Sequence, residues 1–145
     1  MHFLIVSANF YDDISQMLLD GAISELKKGD HTFQKISVPG ALEIPATISY
    51  AVDTEQYDGF IALGCIIRGE TSHYDIVTKE SARGINELAV NLNLAIGNGI
   101  LTVENKEQAI TRADIKQKNK GGFAAQTAIR MAAIRDKFFE MLSDD

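Results

Sequence analysis

Between Gly64 and Val77 the chain reads GCIIRGETSHYDIV, and an apolar run gives way at Arg68 to Glu70, Thr71, Ser72 and His73. His73 is the strongest general acid/base candidate, because an imidazole with a pKa near about 6.5 exchanges a proton at neutral pH. A capping or core histidine is the competing reading. Thr71 and Ser72 precede an expected helix, where hydroxyls either cap the first amides or share them with a phosphate. Arg112, brought to the same place, would hold a phosphate through two parallel hydrogen bonds. Sequence spacing leaves that meeting open. Arg112, Lys116, Lys118 and Lys120 fall close together with only Asp114 opposing them, which suits either a local anion site or a solvated loop.

Two further stretches carry possible contacts. VPGALEIP, from Val38 to Pro45, makes a sharp turn whose backbone N–H and C=O groups could meet a flat polar ligand. Phe10, in SANFYDD, could stack on a heteroaromatic ring or staple the following helix. His2 and His31 have no comparable setting, and no His, Cys or carboxylate spacing forms a metal motif. The single Cys65 lies in an apolar run, so it reads as a buried structural thiol in a reducing cytoplasm.

The elements that must position these residues alternate in type. A chain of 145 residues is expected to form one domain over residues 1–145. The net charge of −6 argues against a broad nucleic-acid surface. The absence of a long apolar run, with Met1 to Val6 too short for a secretory signal, argues against membrane insertion or export. Phe3 to Val6 reads as a buried strand and Phe33 to Val38 as a more polar one nearer an edge. Asp58 to Ile67 and Ile100 to Val103 read as two more.

Helices are expected from Asp12 to Lys28, where Ile14, Leu18, Ala22 and Leu26 recur every four residues, and from about Glu43 or Ile44, where Pro45 fits only a first turn. Further helices are expected over Tyr74 to Leu94, Asn105 to Ala113 and Gly122 to Leu142. The alternation implies a parallel sheet with helices on both faces, and such sheets bind ligands at the carboxyl ends of their strands. The loops after Ser7, Val38 and Ile67 should therefore share one rim.

Taken together, SANFYDD, VPGALEIP, GCIIRGETSHYD, GILTVEN, EQAITRA and NKGG resemble the 6,7-dimethyl-8-ribityllumazine synthase family in order and spacing over nearly the whole chain. The resemblance implies a three-layer α/β/α sandwich on a four-stranded parallel sheet with flavodoxin-like topology. It implies a transferase that condenses 5-amino-6-(D-ribitylamino)uracil with 3,4-dihydroxy-2-butanone 4-phosphate, releasing phosphate and water, in the penultimate step of riboflavin biosynthesis. No metal or redox cofactor is implied.

By the same resemblance Phe10 stacks on the pyrimidine, while Ala41, Leu42 and Glu43 bind its edge and the ribityl chain. Cys65, Ile66 and Ile67 line the pyrimidine pocket. Glu70 and Thr71 adjoin the phosphate, Arg112 supplies its counter-charge, Lys120 adds to the positive field, and His73 transfers protons. The implied assembly is a cytoplasmic homopentamer with active sites between subunits, with riboflavin synthase as pathway neighbour and no nucleic-acid or membrane partner.

The chain departs from the family pattern in two places. Asn98 stands where many members place an aromatic residue supplied across a subunit contact, and DIKQKNKGG replaces the small, glycine-containing loop of shell-forming members. A pentamer that does not close into a sixty-subunit shell is therefore expected. A flavodoxin-like electron carrier is the rival on architecture alone, but SANFYDD stands where its hydroxyl- and glycine-rich phosphate loop would be. A catalytically idle family member is a third reading.

Overall fold

The computed structural model describes residues 1–9 and 11–143. Strands β1 (His2–Ala8), β2 (Thr32–Val38), β3 (Gly59–Ile67) and β4 (Ile96–Val103) alternate with helices α1 (Asp12–Lys28), α2 (Ile44–Val52), α3 (His73–Leu92), α4 (Lys106–Ala113) and α5 (Lys120–Ser143). The strands form one parallel sheet in the order β2-β1-β3-β4, consistent with a flavodoxin-like sandwich.

Strand composition follows position in that order. The inner strands β1 and β3 are buried almost throughout, whereas β2 is mostly exposed and β4 alternates, as an edge strand with one solvated face does. Period two splits β3 between two cores. Ile61, Leu63 and Cys65 join Ile14, Leu18 and Ala125 beneath α1, α4 and α5, while Phe60, Ala62 and Ile66 join Ile44, Ile48 and Val77 beneath α2 and α3. Both faces of the sheet are thus covered.

β4 begins four residues earlier than its apolar run suggests, at Ile96. Gly97 and Gly99 hide the strand in the sequence, and close packing requires the first of them: a Cβ at Gly97 would lie 1.8 Å from the carbonyl oxygen of Ala124. α5 likewise starts at Lys120, through two residues of low helix propensity. A Cβ at Gly121 would lie 2.0 Å from Leu18 O, so the glycine lets α5 settle onto α1. α3 ends at Leu92, where Asn93 turns left-handed at φ 56° and donates its N–H to Ala89 O.

Candidate active site

All four strands point their carboxyl ends at one rim, because the sheet is wholly parallel. At the exit of β1, Ser7 Oγ donates to Asn9 Oδ1 over 3.2 Å and Asn9 Nδ2 donates to Ser37 Oγ of β2. These bonds hold the ends of β1 and β2 together. Beyond β2, Pro39 and Gly40 lead into a single 3₁₀ turn, Ala41–Glu43, in which Glu43 N donates to Gly40 O over 3.2 Å. Pro45 then sits in the first turn of α2, where its missing N–H costs nothing. Thr47 Oγ1 donates to Glu43 O over 2.8 Å, joining the turn to the helix.

These segments enclose a cavity of about 290 Å³ lined by Ala8, Tyr11, Pro39, Gly40, Ala41, Leu42, Glu43, Cys65, Ile66, Ile67, His73 and Val77. Its volume falls near the lower end of small-molecule clefts, about 300–1,000 Å³. The walls are largely apolar, with Tyr11, Glu43, Cys65 and His73 as the ionisable groups. Such a lining suits a flat ring with polar edges.

His73 is exposed and opens α3. Its backbone N–H donates to Thr71 Oγ1 over 3.3 Å, so Thr71 satisfies an amide at the helix start, while the Ser72 side chain makes no capping bond. Cys65 contrasts with it. Burial pushes its thiol up to about 11, and the negative charge of Asp13 adds to the effect, so the sulfur stays protonated at neutral pH. The Asp13 carboxyl is itself held below its usual range, first by a hydrogen bond from Lys106, whose Nζ lies 3.1 Å away.

α4 is fixed at its start by a reciprocal cap. Asn105 Oδ1 accepts from Gln108 N over 2.9 Å, and Gln108 Oε1 accepts from Glu104 N over 2.8 Å. That cap fixes the helix whose last turn carries Arg112, whose Nη1 donates to Gln108 O over 3.1 Å.

Within one chain the fold brings Ala41, Leu42, Glu43, Cys65, Ile66, Ile67 and His73 to one cavity. Glu70, Thr71, Asn98, Arg112 and Lys120 do not line it. Glu70 and Thr71 lie in the exposed loop before α3, and Lys120 opens α5 with its ammonium 5.3 Å from the Phe123 ring centroid. Asn98 is exposed in the middle of β4, opposite Ala62, and its Oδ1 accepts from Ile100 N over 2.9 Å. Phe10 lies outside the described residues. Tyr11, which lines the cavity, escaped the sequence reading; its signal was a second aromatic ring beside Phe10 in the rim loop. Among the described residues no group of His, Cys, Asp and Glu could hold a metal ion, and no helix is long and apolar enough to cross a membrane.

A parallel α/β sandwich with an apolar cleft at the carboxyl ends of its inner strands, edged by a histidine and a carboxylate, defines a protein that binds small molecules at its sheet rim. A family model described as 6,7-dimethyl-8-ribityllumazine synthase matches residues 1–136. A protein of that name from Bartonella henselae is 53% identical over 144 residues, covering 98% of this chain and 93% of the relative. Another so named, from Zymomonas mobilis, is 55% identical over 135 residues, covering 93% and 96%. The chain belongs to the 6,7-dimethyl-8-ribityllumazine synthase family.

Proposed function

We propose that this chain is a transferase that condenses 5-amino-6-(D-ribitylamino)uracil with 3,4-dihydroxy-2-butanone 4-phosphate, giving 6,7-dimethyl-8-ribityllumazine, phosphate and water. The observation that carries the reading is the convergence of three separated segments, Ala41–Glu43, Cys65–Ile67 and His73, on one cavity. Each belongs to a motif by which the chain resembles its family. The apolar walls accept the ring, and the amides of the 3₁₀ turn and strand end meet its polar edge.

The uracil amine attacks the ketone and expels water to form an imine, phosphate leaves to give an enol, and the enol's keto form is closed on by the ribitylamine with loss of a second water, so several protons move within one small site. His73, at the cavity edge, is the group assigned to move them. Glu70 and Thr71 adjoin the phosphate, and Arg112 and Lys120 supply its counter-charge from the neighbouring helices. Much of the acceleration comes from holding two reactive molecules in alignment, which is worth up to about 7–11 kcal/mol. Cys65 contributes packing and backbone, because a thiol held protonated is a poor nucleophile.

The active species is a homopentamer with sites between subunits, acting in the cytoplasm, with riboflavin synthase as its pathway neighbour. Two observations support a shared site: Asn98 is exposed away from its own chain's cavity, and α3 and α5 expose Val90, Leu92, Phe123, Phe138 and Phe139. His73→Asn tests the catalytic assignment. The variant should lose roughly tenfold to a hundredfold in kcat while keeping its affinity for the pyrimidine, a modest loss for a general acid/base because alignment carries much of the rate. A kcat near that of the unaltered protein across neutral pH would make the histidine dispensable.

A further inference from the structure

Arg68, the residue after β3, touches two other parts of the rim at once, the end of β4 and the first turn of α3. Its backbone N–H donates to Val103 O at the end of β4 over 2.9 Å, and its Nε donates to Glu104 Oε2 over 2.8 Å. Its Nη1 reaches Asp75 Oδ1 at 3.5 Å, and its guanidinium carbon lies 4.2 Å from the centroid of the Tyr74 ring. Tyr74 and Asp75 directly follow His73 in the first turn of α3. A single side chain therefore joins the ends of two strands to the start of the helix that bears His73.

Beyond the Thr71 contact to His73 N and the packing of Tyr74 against the core beneath α2 and α3, few contacts fix that helix start. Gly69, Glu70, Thr71 and Ser72 are all exposed, no atom from outside the local chain lies within 4 Å of where a Gly69 Cβ would be, and the Ser72 side chain makes no cap. Val77, a full turn beyond His73, is the first buried residue of α3. The placement of the first turn thus depends on Tyr74 and on what covers its ring. A planar guanidinium can stack on that ring while its edge donates to carboxylates, an arrangement that a lysine ammonium cannot copy.

We propose that Arg68 is a positioning residue for His73, acting through Tyr74, Asp75 and Glu104 to hold the first turn of α3 against the end of β4. The inference rests on His73 as the proton-transfer group. Global stability is not the expected role, because Arg68, Asp75 and Glu104 are all half-exposed and pairs of that kind add little to it. Rate is far more sensitive, since misplacing a reacting group by about 1 Å can cost about a hundredfold.

The test compares Arg68→Met, Arg68→Lys and Glu104→Ala, each alone and combined with His73→Asn, by steady-state kinetics with both substrates and by proton–carbon NMR of the histidine rings. The chain has only three histidines, so the His73 signal is the one lost in His73→Asn. Arg68→Met should lower kcat about fivefold to tenfold, leave both KM values within about twofold, and add less than about twofold in the His73→Asn background. Arg68→Lys should recover only part of the loss. The His73 ring signal should shift in Arg68→Met and Glu104→Ala. It should stay in place in Arg83→Met, which loses the Glu80 and Glu87 ion pairs farther along α3.

Independent, multiplying effects of Arg68→Met and His73→Asn, or an unmoved His73 signal, would overturn the proposal. So would a raised KM for the butanone phosphate with kcat kept, which would make Arg68 a substrate-binding group. Glu104→Ala carries the same comparison if Arg68→Met fails to fold. A normal kcat in His73→Asn would instead sink the proton-transfer reading, while the ring signal still decides whether Arg68 holds the imidazole.

Discussion

Cys65 and His73 border one cavity in opposite states: the Cys65 side chain is buried on β3 at 8% residue exposure, and His73 is exposed at the start of α3. The contrast favours the imidazole over the sulfur for the proposed proton transfer. With the thiol pushed up to about 11, about one Cys65 in a thousand is ionised at pH 8, so iodoacetamide should alkylate the folded protein far more slowly than it does a free cysteine. The alkylation rate should still be climbing at pH 10. A plateau near pH 8 would contradict the raised value.

The same thiol links stability to pH. The folded state keeps the proton up to about 11, whereas the unfolded thiol releases it near 9.0. Between those values the unfolded chain binds fewer protons, so stability is fully present below pH 9 and falls as pH rises toward 11, by at most about 2–3 kcal/mol from this group. Urea midpoints measured across that window should decline for the unaltered protein and less steeply for Cys65→Ala.

Arg112 Nη1 donates to Gln108 O of its own helix, so the phosphate contact proposed for it would require the guanidinium to leave that carbonyl. Arg112→Ala should raise KM for the butanone phosphate by roughly tenfold or more and leave KM for the pyrimidine within about threefold, because it removes a charge-assisted contact to one substrate alone. Equal rises for both substrates would argue for a structural role.

The inner strands and α1 were legible because their signals are local. Period-four apolar residues fixed α1, and β-branched and apolar runs fixed β1 and β3. β4 was half hidden, since Gly97 and Gly99 advertise no strand yet are what let Ala124 approach. At the site, motif order singles out Ala41 to Glu43, Cys65 to Ile67 and His73, which the fold gathers at one cavity, whereas Tyr11, also lining it, stands beside Phe10, which offers the same chemistry one residue earlier. Asn98 and Arg112 could not be brought to the cavity by sequence or by one chain's fold. The shared site proposed for them would be built by contacts that lie in no single strand or helix pattern.

Assembly should follow from the loop that joins α4 to α5. Asp114 Oδ1 accepts from Lys116 N over 2.9 Å, Lys118 N donates to Thr111 O over 3.2 Å, and Asn119 is left-handed at φ 45°, so the segment is held by its own bonds with Lys116 and Lys118 exposed. Copies of this basic loop brought together by a shell would repel, and salt would screen that only in part. Analytical ultracentrifugation should show a mass near five chains of 15.9 kDa each. A stable particle of about sixty chains would refute the loop argument.

The most direct measurement mixes the purified protein with 5-amino-6-(D-ribitylamino)uracil and 3,4-dihydroxy-2-butanone 4-phosphate at neutral pH and follows lumazine formation against the spontaneous background. The cavity formed by Ala41–Glu43, Cys65–Ile67 and His73 predicts formation well above that background, saturable in both substrates and reduced in His73→Asn. A rate equal to the background, from folded protein at saturating concentrations of both, would contradict the assignment.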